Sequence, residues 1–138
     1  MFDQKQLAVP ANTPATEPAT VEFSLTPGML EKVYVHFPDG CNQMVHVVIY
    51  QGERQLIPRD ANSTISGNDY TYEITQAARI LQGYGKFVAR GWSPGSSSPH
   101  NVLIGFDTFS DEEKDTSELF LGEMLKVLRD IGAVLGVR

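Results

Sequence analysis

Cysteine is almost absent from this sequence: Cys41 is the only one in 138 residues. An intrachain disulfide and a cysteine-built zinc site are therefore excluded, which fits a reducing compartment or a chain that needs no staples. Basic residues are also few. Eleven Lys and Arg stand scattered against seventeen Asp and Glu, for a formal charge of −6. Affinity for nucleic-acid phosphates comes mainly from clustered Lys and Arg, so no nucleic-acid partner is expected. Long apolar runs are missing as well. The N-terminus, Met-Phe-Asp-Gln-Lys-Gln, has no apolar stretch, and the apolar segment from Leu119 onward is broken by Glu123, Lys126, Arg129 and Asp130. Neither a signal peptide nor a membrane span is expected.

Catalytic signatures are missing too. There is no Gly-x-Ser-x-Gly and no phosphate-cradling glycine loop, and Gly83-Tyr84-Gly85 alone marks a turn. His36, His46 and His100 follow no metal-binding spacing. The loop from Asp60 to Asp69 places oxygen ligands at alternate positions, but Ile65 and Thr71 stand where a calcium loop needs glycine and a bidentate acid. Cys41 has no basic neighbour to activate it. The chain is expected to be no enzyme and to carry no cofactor or metal.

What is present is β pattern. Gln43 to Tyr50 is dense in β-branched residues and reads as a central strand. Shorter alternating runs surround it: Val21 to Leu25, Glu31 to Phe37, Arg54 to Ile57, Tyr70 to Ile74, Lys86 to Trp92 and Asn101 to Thr108. Seven short strands bounded by Gly, Pro, Asn and Asp predict a seven-stranded immunoglobulin-like or Greek-key β-sandwich over 21–108, with a jelly roll as the rival arrangement. A hairpin through Pro38 to Asn42 would set His36 opposite His46. Helix formers from Thr75 to Gln82 predict a helical turn or two between the sheets.

The two ends differ from this middle. Residues 1–20 are rich in Pro, Thr and Ala, a composition that favours an extended arm. Val9, Pro10, Pro14 and Pro18 are the arm's candidate partner-binding residues, and the rival expectation is an arm folded back on its own domain. At the other end, Ser110-Asp111-Glu112-Glu113 is a capping box. Behind it Leu121, Met124, Leu128, Ile131 and Leu135 repeat at coiled-coil spacing, predicting an amphipathic C-terminal helix over 110–136 and a candidate oligomer interface.

The Pro/Thr/Ala-rich arm, the single small acidic sandwich entered at Leu25-Thr26-Pro27-Gly28 and the missing catalytic residues together resemble the small accessory virion proteins of tailed bacteriophages. These are capsid decoration (cement) proteins and head-to-tail or fibre-base components. The resemblance implies a non-enzymatic structural protein of the virion, made in the host cytoplasm. It would form a homo-oligomer, expected as a trimer, and clamp other virion proteins such as the major capsid protein. A long C-terminal helix is not a general feature of that group, which leaves the position in a particle open. The alternative is a carbohydrate-binding β-sandwich module, with Tyr70, Tyr72 and Trp92 as a stacking platform for sugar rings.

Overall fold

The computed structural model describes residues 1–110, which form eight strands and no helix. They are β1 (Phe2–Val9), β2 (Ala19–Ser24), β3 (Gly28–Phe37), β4 (His46–Gln51), β5 (Arg54–Ile57), β6 (Tyr70–Ile80), β7 (Lys86–Trp92) and β8 (His100–Ser110). Apart from Ser110, the expected helix and its seam of Leu121, Met124, Leu128, Ile131 and Leu135 lie outside the described residues.

The strands pair antiparallel as β1 with β8, β2 with β7, β3 with β6 and β4 with β5. The chain is thus one long hairpin, turning at Gln51–Arg54, whose successive strand pairs fall alternately in two sheets. Those sheets run β1-β8-β3-β6 and β2-β7-β4-β5. This is the order of an eight-stranded jelly roll, not of a seven-stranded immunoglobulin-like sandwich. The additional strand is β1.

Alternation explains the core. Leu7 and Val9 of β1, Val33, Val35 and Phe37 of β3, and Val102, Ile104 and Phe106 of β8 point inward from one sheet. Phe23, Val47, Ile49, Leu56, Phe87 and Ala89 meet them from the other. Phe106 lies at the centre, edge-on to Phe23 at 4.6 Å between centroids and tilted against Phe87 at 5.3 Å.

Three expectations are corrected. The helical turn expected at 75–82 is absent up to Ile80, because β6 continues there and pairs Ala78 with Leu30, Arg79 with Met29 and Ile80 with Gly28. Sheet pairing overrides the weak helix preference of a short Ala-containing run. His36 and His46 do not face each other, since β3 and β4 belong to different sheets: His36 is opposite Thr71 and Leu103, His46 opposite Trp92. The first part of the N-terminal arm, expected to be loose and extended, is β1, an edge strand of its own sheet, registered from Phe2 with Asp107 to Val9 with His100.

The rest of the arm is tied down by polar contacts to the β7–β8 loop. Asn12 N donates to Ser96 O at 2.8 Å and Ser93 N to Thr13 O at 3.0 Å. Ser93 Oγ donates to Pro10 O at 3.0 Å and accepts from Thr13 N at 3.4 Å. Ser93 and Thr13 are both buried, so removing the hydroxyl leaves the Thr13 N–H without its partner, while Pro10 O keeps the bond from Thr13 Oγ1. Ser93→Ala is expected to cost about 1–3 kcal/mol, read as a lower urea midpoint with an unchanged denaturant slope.

The two sheets approach each other unevenly. β1 packs against β2 and β7, closing that side of the sandwich. On the opposite side, β5 and β6 stay more than 8 Å apart at every Cα. That side is the open edge of the fold.

Candidate functional site

The residues expected to form a sugar platform are not brought together. Tyr70 and Tyr72 of β6 meet edge-to-face at 4.8 Å, and Tyr72 packs on Phe37 while its hydroxyl donates to Ser66 O at 2.7 Å. Trp92 lies in the other sheet, stacked on His46 with centroids 6.2 Å apart. Sequence alternation places a residue on a face but not in a sheet, which is why the three looked like neighbours.

The histidines serve three separate contacts. His36 Nδ1 lies 2.8 Å from Thr71 Oγ1, His46 Nδ1 3.0 Å from Thr64 Oγ1, and His100 Nε2 3.2 Å from Ser96 Oγ. Among the described residues no group of three His, Cys, Asp or Glu is placed to hold a metal ion. Cys41 is buried, and burial pushes its thiol pKa up, away from the thiolate that a nucleophile needs. Asp60 bonds Asn62 N at 3.0 Å and Ser63 Oγ at 3.1 Å, so its carboxylate organises a turn. Of the candidate arm residues, Val9 is in the core, and Pro10 accepts the hydrogen bonds from Ser93 and Thr13. Pro14 and Pro18 lie in the same loop, Pro14 accepting from Glu17 N at 3.2 Å.

Two surfaces that sequence patterning did not single out stand out instead. One is the outer face of the β1-β8-β3 sheet. The register places Phe2, Met29, Tyr34 and Phe109 on that face. Phe2 is 52% and Phe109 48% exposed. The Phe2 ring lies over Gly105, where a Cβ would come within 2.6 Å of it, and meets Tyr34 edge-on at 5.7 Å. The patch ends at Phe109, beside the point where the described chain stops.

The other surface is the open edge. A cleft of about 470 Å³ is lined by Arg54, Gln55, Leu56, Arg59 and Gln76. A second, of about 510 Å³, shares Arg54 and runs past Gln51, Glu53 and Arg79 to Leu81 and Tyr84. Both lie between the edge strands β5 and β6 or the turns that continue them. Gln76 occupies a β-bulge: Gln76 and Ala77 together stand opposite the single residue Glu31, and bulges are a usual means of re-aiming a side chain at a sheet edge.

Comparison with known proteins gives distant likenesses to this jelly roll. No family model matches the sequence and no curated protein matches it. Among solved structures, the chain resembles a protein of Bacillus endospore appendages that form disulfide-linked pili, at 12% identity and a TM-score of 0.42, over 80% of this chain and 89% of that one. It also resembles the CBM36-1 domain of a multidomain xylanase from the hindgut metagenome of Trinervitermes trinervoides, at 10% identity and a TM-score of 0.46, over 80% and 99% of the two chains. A third is the Tobacco streak virus coat protein, at 6% identity and a TM-score of 0.38, over 78% and 85%. Likenesses of this size bear on neither activity nor ligand.

Proposed function

We propose that this protein is a non-enzymatic structural subunit that self-associates as a trimer and joins neighbouring subunits of a virus-like particle, as a decoration or head-to-tail component of a virion. Its other partners would be particle proteins such as the major capsid protein. The observation that supports this most is the set of large apolar side chains on the outer face of the β1-β8-β3 sheet, Phe2 beside Tyr34 and Met29 beside Phe109, on either side of Lys32 and Asp107. A jelly roll normally turns polar residues outward on both sheets, and large apolar side chains gathered on an outer face mark an interaction site. This face leads into the part of the sequence that carries the heptad seam from Leu121 to Leu135. Association of the seams around one axis would bring three such faces together. With β1 already paired in its own sheet, the clamp is a surface of the sandwich and not a free arm.

Light scattering of the full chain tests the proposal. A mass about three times the 15.2 kDa monomer is expected, falling to one monomer when Leu121→Glu and Leu128→Glu place charges in the seam. A wild-type chain that stays monomeric over its whole soluble concentration range overturns it.

A further inference from the structure

We infer that the open edge between β5 and β6 is a binding site for an acidic saccharide, a sugar bearing a carboxylate, held by Arg54, Arg59 and Gln76 with its ring against Tyr84. Gln76 is the central observation. It is only 8% exposed, yet its side-chain amide bonds to no other described residue, while no fully buried side-chain nitrogen or oxygen among the described residues is left unpaired. The amide therefore opens into the cleft that Gln76 lines. A polar group so enclosed and without a protein partner is positioned to bond a ligand.

The cleft around it is built. Gln55 Nε2 donates to Pro58 O at 2.7 Å, to Asp60 O at 2.9 Å and to Ser63 O at 3.2 Å, which fixes the loop carrying Arg59. Arg54 stands across the same cleft. Among the described residues neither guanidinium makes an ion pair or hydrogen bond with another, in a chain where acids outnumber bases. Two unpaired guanidiniums and an amide form a donor set for a carboxylate, which guanidinium binds through paired N–H donors.

The neighbouring cleft selects the rest of the ligand. Tyr84 is 65% exposed and lies beside Leu81, so an amphipathic ring is presented for stacking on a pyranose face. Glu53 lines this part, and a carboxylate there accepts sugar hydroxyls but repels a polyanion. An isolated carboxylate on a hydroxylated ring satisfies both clefts, whereas a polyphosphate meets Glu53.

Calorimetric titration of the full chain with methyl galacturonoside, which bears one carboxylate, is the test, with neutral methyl galactoside, sodium acetate and sulfate as controls. The galacturonoside is expected to bind with a Kd of about 1 mM or tighter and at least tenfold more tightly than each control. Arg54→Gln and Arg59→Gln should each weaken it about tenfold, and Tyr84→Ala about threefold or more. Gln76→Leu should also weaken it, while Gln76→Asn, which keeps the amide, retains part of the affinity. The thermal midpoint and solution mass of the arginine variants should match wild type. Absence of binding at about 10 mM, equal binding of acetate or sulfate, or arginine variants with unchanged affinity overturns the inference.

Discussion

Replacing Phe106 by Ala is expected to lower folding stability by about 3–5 kcal/mol. Its ring is fully buried and touches Phe23 and Phe87 from the opposite sheet, so truncation opens a cavity where the two sheets meet. Against a total of about 5–15 kcal/mol for a domain, that is a third or more of the margin. In urea, followed by the fluorescence of Trp92, the midpoint should fall by about 2 M with little change in slope. Asn101 makes the internal control. It lies five residues back along β8, exposed on the outer face, and Asn101→Ala should stay within about 0.5 kcal/mol. A similar loss for both variants would mean that β8 does not present its alternate residues to core and surface as described.

Deleting residues 1–9 is expected to abolish the cooperative fold. The deletion removes Leu7 and Val9 from the core and uncovers the whole edge of β8, from His100 to Asp107. Removing one large apolar side chain costs about 2–5 kcal/mol, and an unprotected strand edge invites pairing with other chains. The shortened chain should bind a hydrophobic dye, lack a sigmoidal thermal transition and aggregate. A soluble chain with a wild-type melting temperature would show that this segment is peripheral. Lys5→Ala, whose ammonium sits 5.4 Å over the Phe23 ring and donates to Glu22 O, should by contrast leave the fold intact.

Much of the sandwich was legible in the sequence because its strands carry the alternation that burial requires. Val33, Val35 and Phe37, and likewise Val102, Ile104 and Phe106, repeat every second residue and are buried as expected. β1 was not legible. Only Leu7 and Val9 are buried there, among Asp, Gln and Lys, and the prolines that follow suggested a loose arm. Its order comes from long-range pairing with β8, which no local pattern records. The assignment of strands to sheets was also hidden, and with it the separation of Tyr70 and Tyr72 from Trp92. Gln76 gave no signal at all: within Thr-Gln-Ala-Ala-Arg it looks like a helix former, and its significance arises only from burial beside a cleft.

The folded-ribbon topology also governs how the chain is made. The turn at Gln51–Arg54 joins β4 and β5, which are close in sequence, whereas Phe2 of β1 waits for Asp107 of β8. Contacts so remote are slow to form, since loop-closure entropy is lost before they contribute. At about 5–20 residues per second during synthesis, β1 emerges many seconds before its partner. The ribbon is expected to close from its turn outward, so that β1 is among the last strands to be secured. Its Asp, Gln and Lys residues keep that waiting strand soluble in the meantime.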